Sequence, residues 1–346
     1  MVEIKNKIIF LSYLQSDYSR SGVYYFGMNV GLSSFTQIRT GLFPSIRDLN
    51  SIRAKNSLSD TSLVVMSPSH KLTAIATLVL RKRIILDAGW ALSEASWDRM
   101  RSKNRVPKRI KNYLIDFISF QFASRVLLES PQEVEYISRV FLTGKRKLIS
   151  VYTGFNEHNY KNIAFNKNQR TSKNLQVLFR GKLNDEAGIE NILQAAAMVE
   201  SEPIEFIIAT NKSLPQYSIA GNTKILTNFL SYLEIGNLYL RSDVCLGQFS
   251  DFNRLTRTIP HKAFESLYFS KCYLTPATKS LQALCDSEEQ MLYTTSISPQ
   301  AIAEKLVFLE KNRQKVLEYG LNGNSLYKRL LNQRHLAAQV SAICLD

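Results

Sequence analysis

Short apolar runs typical of buried strands alternate with amphipathic helical patterns along almost the whole chain, and this alternation constrains the fold most strongly. Chains in which strands and helices alternate form parallel β-sheets covered by helices. The pattern runs from residues 8–11 to 148–151 and then starts again at 176–179. We therefore predict two doubly wound α/β domains, whose ligands bind at the carboxyl ends of the strands.

The length of 346 residues suits two domains. A polar stretch at 159–173 has almost no apolar periodicity and separates the two halves. We predict an N-terminal domain over 1–160, a linker over 161–172 and a second domain over 173–325. A C-terminal helix over 326–346 would pack back on the first domain. Two open sheets joined by one linker should leave a cleft between them.

The charge balance is strongly basic, with 44 Lys and Arg against 29 acidic residues and a net charge of +15. This balance favours nucleic acid, an anionic membrane surface or a phosphorylated ligand as partner. The four cysteines are widely spaced and form no Cys-x-x-Cys pair, which argues against a zinc site or a disulfide scaffold. The sequence shows no signal-peptide pattern and no apolar run near the roughly 20 residues that span a bilayer. We therefore expect a cytoplasmic protein.

A first candidate ligand site lies where the strand at 176–179 passes into Arg180, Gly181 and Lys182. A glycine at this point lets the backbone approach a ligand closely, and the flanking cations would attract an anion. Strand–glycine–helix turns beside a cation are also common where no ligand binds. The pattern alone therefore leaves both a binding role and a purely structural role open.

A second candidate site begins at Pro260, which suits the first position of a helix. The amides of His261, Lys262 and Ala263 would then stand free at the positive end of the helix dipole, where phosphates bind. Glu265 lies three residues after Lys262 and would accept hydrogen bonds from a ribose diol. A capped surface helix with a Lys262–Glu265 pair is the other interpretation. Further polar residues precede the helix, namely Arg254, Arg257 and Thr258.

These two segments, in this order and spacing, resemble the carboxyl-terminal domain of family 4 retaining glycosyltransferases. In that family a strand ends in Gly-Arg/Lys, here Gly181-Lys182, and a later helix carries Lys-x-x-Glu, here Lys262 to Glu265. Looser matches extend over most of the chain, at Ser21-Gly22, Glu129-Ser130 and 151–156. The resemblance implies the GT-B fold, which is two Rossmann-like domains facing a cleft, and transfer from a nucleotide-sugar donor.

The resemblance also implies roles for individual residues. Lys182 would contact the donor diphosphate, Lys262 and the amides around His261 would lie beside the phosphates, and Glu265 would bind the ribose. The donor-binding set implied in this way is Arg180, Gly181, Lys182, Arg257, Thr258, His261, Lys262 and Glu265, and the catalytic set is Asp87, Lys182 and Glu265.

The sequence departs from the family pattern at two positions. The second lysine that often follows the first basic residue is Ala187 here, and a glutamate that contacts the sugar in many members is Arg257. Arg180, Arg254 or Arg257 would replace the lost phosphate cation. The alternative is that donor binding is weakened or lost, which would make the chain a degenerate transferase.

On the acceptor side, the strand at 84–86 is followed by Asp87 and, three residues later, by Trp90. Family members commonly place a histidine after this strand, and Asp87 is the nearest polar substitute for it. Asp87 would face the sugar or acceptor, or it caps a turn. Trp90 would stack on a sugar ring, or it packs in the domain. Ser21 and Gly22, which resemble the family's glycine-containing first loop and directly precede or begin a predicted helix over 22–32, complete this side of the site.

A run of cations precedes and enters a predicted helix that starts at Pro107. Its apolar face is predicted to comprise Ile110, Tyr113, Leu114, Phe117, Ile118 and Phe122. Cations in a first helical turn oppose the helix dipole, so helix stability does not explain them. The cations indicate contact with an anionic membrane surface, or they are a solvated run beside a helix whose apolar face is in the core. They are Arg99, Arg101, Lys103, Arg105, Lys108, Arg109 and Lys111.

The predicted function is retaining transfer of a sugar from a nucleotide-sugar to a lipid-linked or cell-envelope glycan of the capsule, O-antigen or lipopolysaccharide type. The nucleotide-sugar is a substrate, and we predict no metal or other cofactor. An epimerase of the same fold is one alternative, although His70 and His158 fall in loops without paired carboxylates. The other alternative is a non-catalytic basic protein that binds lipid or nucleic acid. The grouping of the cations in one amphipathic segment argues against nucleic acid.

Overall fold

The computed structural model describes residues 7–12, 19–30, 34–39, 49–50, 61–94, 106–163, 172–210, 213–214 and 217–345. The chain forms two compact units. The first comprises Met1–Asn156 together with Asn332–Asp346, and the second comprises Glu157–Leu331. Among the described residues, each unit contains one six-stranded sheet whose strand pairs are all parallel.

The described strands, six in each unit, are β1 Lys7–Ser12, β2 Ser34–Arg39, β3 Thr61–Met66, β4 Ile84–Gly89, β5 Arg125–Leu128, β6 Leu148–Ser150, β7 Leu175–Arg180, β8 Ile204–Ala209, β9 Thr223–Leu226, β10 Val244–Leu246, β11 Cys272–Pro276 and β12 Leu292–Thr294. The described α-helices are α1 Ser19–Asn29, α2 Leu72–Leu80, α3 Val106–Phe122, α4 Pro131–Val140, α5 Ile189–Met198, α6 Tyr232–Arg241, α7 His261–Tyr268, α8 Lys279–Leu284, α9 Pro299–Lys311, α10 Arg313–Leu326 and α11 Gln333–Leu345. In the part of the chain that the structure describes, no helix is both long and apolar enough to cross a bilayer.

The sheet of the first unit has the strand order β2-β1-β3-β4-β5-β6. Strand β4 is buried along its whole length, as expected for an inner strand of a parallel sheet covered on both faces. Helices α2, α3 and α4 pack on one face through Ala76, Phe120 and Ile137. Helices α1 and α11 cover the other face through Tyr24 and Val340.

Helix α3 corrects one sequence interpretation. Tyr113 and Phe117 pack against the core, whereas Ile110, Leu114 and Ile118 are 54%, 51% and 45% exposed. The apolar residues therefore form an inner and an outer face, not the single face that the sequence predicted. The helix has apolar residues around most of its circumference, which a one-sided periodicity argument does not resolve.

The sheet of the second unit has the strand order β12-β11-β10-β7-β8-β9, which is the 3-2-1-4-5-6 order of a Rossmann fold. Strands β7, β8 and β9 follow one another toward one edge of the sheet, and strands β10, β11 and β12 follow one another toward the other edge. The order therefore reverses between β7 and β10, which are hydrogen-bonded neighbours. In such sheets the crevice for a ligand opens beyond the carboxyl ends of the strands at this switch point.

Three helices differ from the predicted ones at their ends. Apolar periodicity predicts a helix over 186–199, but helix α5 begins only at Ile189, because Gly188 has a left-handed backbone with φ of +63°. Periodicity likewise predicts one helix over 300–318, but the structure has two, since Asn312 between α9 and α10 has a non-helical backbone. Helix α7 begins at His261, and Pro260 is its N-cap and not its first residue.

Candidate functional site

The switch point of the second unit brings the two predicted donor segments together. Strand β7 ends at Arg180 and is followed by Gly181 and Lys182. A Cβ atom on Gly181 would lie 3.2 Å from the Nζ atom of Lys262, which belongs to the first turn of α7. The absence of a side chain at Gly181 thus leaves room for the Lys262 ammonium beside the end of β7.

Lys262 places at this point a cation that no described carboxylate pairs with. Its Nζ atom lies 3.9 Å from the centroid of the Phe179 ring, a cation–π contact. Among the described residues, no carboxylate lies within ion-pair distance of this atom. Burial lowers the pKa of Lys262 to about 7, and the Arg180 charge acts in the same direction. An anion bound here would stabilise the charged form.

The start of α7 is open to an anion. Pro260 precedes the helix, and no side chain caps it. The amide of Ala263 donates to the carbonyl of Pro260 at 2.8 Å, so this amide is not available to a ligand, contrary to the sequence prediction. The positive end of the helix dipole and the Lys262 ammonium lie in the same turn, and both favour a phosphate group.

Glu265 is buried at the centre of a hydrogen-bond network in the second unit. Tyr160 Oη donates to its Oε1 atom at 2.7 Å, and Tyr239 Oη donates to its Oε2 atom at 2.8 Å. The Arg180 guanidinium also donates to Oε2, and His261 Nδ1 lies 3.8 Å from Oε1. Burial alone would raise the pKa of Glu265, but Arg180, His261 and Tyr160 hold it well below its ordinary value.

This network bears directly on the ribose-binding role that the resemblance implies. A carboxylate has about four acceptor positions, and four donor groups of the protein already surround Glu265. A ribose diol would therefore have to replace at least one of them. Glu265 is placed to hold Arg180 and His261 at the edge of the switch point, whether or not it touches the nucleotide.

The position of the missing family lysine has a structural explanation. Ala187 is 1% exposed and belongs to the core of the second unit, where a lysine would not fit. Its neighbour Glu186 accepts two hydrogen bonds from Arg254, each 3.1 Å long. Arg254 is thus committed to a buried ion pair, and Arg180 to Glu265. Neither is the unpaired replacement cation that the sequence suggested.

The other predicted donor residues lie around the same edge of the second unit. Lys182 is exposed, and no ion pair or hydrogen bond engages its ammonium within the described residues. Arg257 is half-buried and donates through Nη1 to the carbonyl of Asn253 at 3.4 Å. Thr258 is buried, and its carbonyl accepts from Ser280. Lys182 and Lys262 are therefore the cations best available to a ligand.

In the first unit, Asp87 is buried in an ion pair. Its Oδ1 atom lies 3.2 Å from Arg20 Nε, and its Oδ2 atom accepts from Tyr24 Oη at 2.5 Å. The side chains of Arg20 and Asp87 are both 0% exposed. Burial raises the pKa of Asp87 although Arg20 and Tyr24 oppose the shift. This environment favours a structural role over the sugar-facing role that the resemblance implies.

The acceptor-side residues are placed in different surroundings from those predicted. Ser21 and Gly22 lie inside α1 and not in a loop. A Cβ atom on Gly22 would lie 2.5 Å from the Cβ atom of Asn156, so the glycine allows α1 to pack closely against the segment after β6. Trp90 follows β4 and is half-buried.

The predicted membrane-contact cations are only in part within the described residues. Lys108 and Lys111 are exposed in the first turns of α3, and Arg109 is half-buried. The remaining four, Arg99, Arg101, Lys103 and Arg105, lie outside the described residues.

Three aromatic residues of the donor-side network were not predicted from the sequence. Tyr160 and Tyr239 bind Glu265 from 105 and 26 residues away along the chain, and Phe179 lies beneath Lys262. Phe179 was recognisable only as an apolar strand residue. No local pattern marks the two tyrosines, because only the tertiary fold brings them to Glu265.

Comparison with known proteins identifies the fold. No protein-family model matches the sequence, and no curated protein matches it. The structure of Anabaena Alr3699/HepE in complex with UDP superposes with a TM-score of 0.72 at 13% identity, covering 97% of this chain and 99% of that one. The chain has the GT-B fold.

Other solved structures share the GT-B fold with this chain. Sucrose-phosphate synthase from Thermosynechococcus elongatus has a TM-score of 0.70 at 14% identity and covers 98% of both chains. UDP-GlcNAc 2-epimerase from Neisseria meningitidis has a TM-score of 0.55 at 12% identity, with 98% of this chain and 99% of that one covered. Because the GT-B fold serves both transfer and epimerisation, function has to be argued from the site.

Proposed function

We propose that the chain is a retaining glycosyltransferase that moves a sugar from a nucleotide-sugar donor to a glycan acceptor. The observation that carries this proposal is the Lys262 ammonium in the open first turn of α7, which has no carboxylate partner among the described residues. This turn stands at the switch point of a Rossmann-type sheet, where nucleotide ligands bind. The similar structure of HepE was solved with UDP and with UDP-glucose, which supports a nucleotide-sugar as the ligand.

In this proposal the second unit stabilises the departing nucleoside diphosphate. As the bond between the anomeric carbon and the diphosphate oxygen breaks, negative charge develops on the phosphates. That charge is met by the ammonium groups of Lys262 and Lys182 and by the helix dipole at the start of α7. All three are in place before the reaction. Electrostatic stabilisation of this kind is commonly the largest contribution to catalysis.

Glu265 and Arg180 would position the donor rather than react with it. The carboxylate fixes Arg180 and His261 at the edge of the site. A ribose hydroxyl would bind Glu265 by replacing one of the hydroxyl groups of Tyr160 and Tyr239. Arg257 and Thr258, which precede α7, would line the sugar side of the same pocket, where Arg257 stands in place of the glutamate found in many family members.

We propose further that the acceptor is a lipid-linked or cell-envelope glycan, presented at the inner face of the cytoplasmic membrane. The support is the excess of cations in the chain and the exposed Lys108 and Lys111 on α3. The first unit would then work as the acceptor domain, with Trp90 and the neighbourhood of Gly22 at the acceptor side.

A thermal-shift screen against UDP-, GDP- and CDP-sugars tests the donor proposal. A cognate donor at about 100 times its Kd should stabilise the protein by about 2.7 kcal/mol. The variant Lys262→Met should lose most of the shift, whereas Lys311→Met, which removes an exposed lysine at the end of α9, should keep it. No shift with any nucleotide-sugar, together with a salt-sensitive nucleic-acid complex, would overturn the proposal.

The same preparations distinguish transfer from epimerisation. Incubation with the cognate nucleotide-sugar alone should leave the configuration of the donor sugar unchanged at every carbon. Slow hydrolysis of the donor is the one reaction that we expect without an acceptor. Addition of an acceptor glycolipid should give a product with the donor's anomeric configuration, which NMR measures directly. Conversion of the free donor to an epimer would replace the transferase proposal with its closest rival.

A further inference from the structure

Helix α3 of the first unit carries an apolar outer face that the described residues leave uncovered. Ile110, Leu114, Ile118 and Phe122 are 54%, 51%, 45% and 40% exposed. They recur at every fourth position, so they follow one another on one side of the helix over about 18 Å. The opposite side of the same helix already packs into the domain core through Phe120. The core therefore does not account for the outer residues.

The neighbouring helix α2 also carries exposed apolar side chains. It packs against α3, and it leaves Ile75 and Leu78 at 37% and 64% exposure. Contiguous exposed apolar surface is uncommon on a monomeric protein and marks a site of interaction. We call this surface the α2–α3 face and define it by Ile75, Leu78, Ile110, Leu114, Ile118 and Phe122.

The charges on α3 are of one sign. Lys108 and Lys111 are exposed beside the apolar residues, and no described carboxylate pairs with either ammonium. The one acidic residue of the helix is Asp116, which is buried and accepts from the amide and hydroxyl groups of Ser93. The surface therefore offers apolar side chains next to cations with no exposed acid on the same helix.

We propose that the α2–α3 face docks on an anionic lipid bilayer. The outer residues of α3 would enter the boundary between headgroups and acyl chains, and Lys108 and Lys111 would lie at the lipid phosphates. This is the composition of helices that lie in the plane of a membrane interface. The inference rests on the membrane partner proposed above and adds the surface and the mode of contact, which the cations alone did not define.

Charge complementarity selects a bilayer over a second copy of the chain. A twofold interface built on the same face would bring Lys108 and Lys111 of two copies close together. Each copy also carries a net charge of +15, which opposes association at moderate ionic strength. An anionic surface gains from both the cations and the apolar residues.

Vesicle sedimentation with the full-length chain tests the proposal. The wild type should bind vesicles of equimolar phosphatidylglycerol and phosphatidylcholine more tightly than vesicles of phosphatidylcholine alone. The double variant Leu114→Glu/Ile118→Glu should lower the partition coefficient at least about tenfold, since it places two carboxylates at the lipid phosphates. The double variant Lys108→Gln/Lys111→Gln should lower the partition coefficient about 25-fold, because each cation contributes a factor of roughly five.

The matched control is Leu317→Glu/Leu321→Glu on α10, which alters two leucines that are 53% and 64% exposed in the second unit. This variant should bind vesicles like the wild type. Because all four leucine and isoleucine positions are exposed, each variant should also keep its melting temperature. UDP-glucose binding, measured on the same preparations, reports on the donor site separately and should be unchanged in every variant.

Three results would overturn the inference. In the first, the wild type and the α3 variants bind vesicles equally, and binding is lost only after neutralisation of Arg99, Arg101 and Lys103. The chain would then bind a membrane through another surface. Absence of wild-type binding to anionic vesicles would remove the membrane partner itself. A dimer in light scattering that Leu114→Glu/Ile118→Glu dissociates would assign the face to a second copy.

Discussion

Each unit buries a carboxylate against an arginine and tyrosine hydroxyls, and the two clusters differ in what surrounds them. In the first unit, Asp87 binds Arg20 and Tyr24, and the arginine is 0% exposed. In the second unit, Glu265 binds Arg180 and two tyrosines, and the arginine is 28% exposed. The first cluster is closed to solvent, whereas the second opens onto the switch point of its sheet.

The pKa values of the two carboxylates are shifted in opposite directions. Burial raises the pKa of Asp87 despite its partners, whereas the partners of Glu265 overcome burial and lower its pKa. Lys262 stands beside the second cluster, and no carboxylate in the described part of the chain pairs with it. A buried arginine–carboxylate pair is therefore not itself a sign of a binding site. An unpaired cation beside such a pair is the feature that indicates one.

The largest expected effect comes from opening the closed cluster. Asp87→Ala leaves Arg20 buried without its partner and should lower the free energy of unfolding by about 3–5 kcal/mol. Urea unfolding followed by tryptophan fluorescence measures this, because Trp90 lies in the first unit and the sequence of the second unit contains no tryptophan. The double variant Arg20→Met/Asp87→Leu should recover much of the loss. If Asp87→Ala leaves stability unchanged and abolishes transfer, Asp87 is a catalytic residue, and the two clusters do not differ in the way described.

The next largest effect is expected at the open cluster. Lys262→Met should weaken UDP-glucose binding by roughly 30-fold, which corresponds to about 2 kcal/mol for a charge-assisted contact. Isothermal titration calorimetry measures this affinity. The melting temperature without ligand should not fall, because the variant removes a half-buried cation that has no carboxylate partner. An affinity equal to that of Lys311→Met would show that the cation does not bind the donor.

The lowered pKa of Lys262 predicts a pH dependence that sharpens the same comparison. Donor binding needs the charged ammonium, which is present below the pKa of about 7 and is lost as the pH rises through it. The affinity for UDP-glucose should therefore fall about fivefold between pH 7 and pH 8. Lys262→Arg should remove this dependence because a guanidinium stays charged. A flat profile in the wild type would contradict the assignment.

The smallest effect is expected at Gly181. The Cβ atom introduced by Gly181→Ala would lie 3.2 Å from Lys262 Nζ, so the flexible end of the lysine must move by a few tenths of an ångström. We expect about a threefold loss of UDP-glucose affinity, or about 0.7 kcal/mol, with unchanged unfolding. A loss as large as that of Lys262→Met would instead indicate that the ligand touches Gly181 itself.

The alternation of strands and helices was sufficient to predict two parallel-sheet domains, because hydrophobic periodicity records which faces are buried. The GT-B fold was predicted from the resemblance to family 4 glycosyltransferases at Gly181-Lys182 and at Lys262 to Glu265. The meeting of Gly181 and Lys262 at one edge also follows from the order of the strands. The partners of Asp87 and Glu265 do not. Arg20, Tyr160 and Tyr239 reach these carboxylates through the tertiary fold, and nothing in their local sequence distinguishes them from other arginines and tyrosines.

Two errors have a physical origin in local reasoning. The resemblance placed Ser21 and Gly22 in a loop, whereas the glycine lies in α1 and allows a close helix contact. The periodicity of α3 was assigned to one face, because a helix that is apolar on both sides gives no clear stripe. Both errors concern positions where a residue's neighbours across the fold, rather than along the chain, determine its role.

The most direct test of the account is a crystal structure of the chain with UDP-glucose or the donor found by screening. The account predicts the diphosphate at the first turn of α7, with a phosphate oxygen within about 3 Å of Lys262 Nζ, and with Arg180 still bound to Glu265. A nucleotide bound away from this turn, with Lys262 over the Phe179 ring and out of contact with the nucleotide, would contradict the assignment of Lys262 to the donor site.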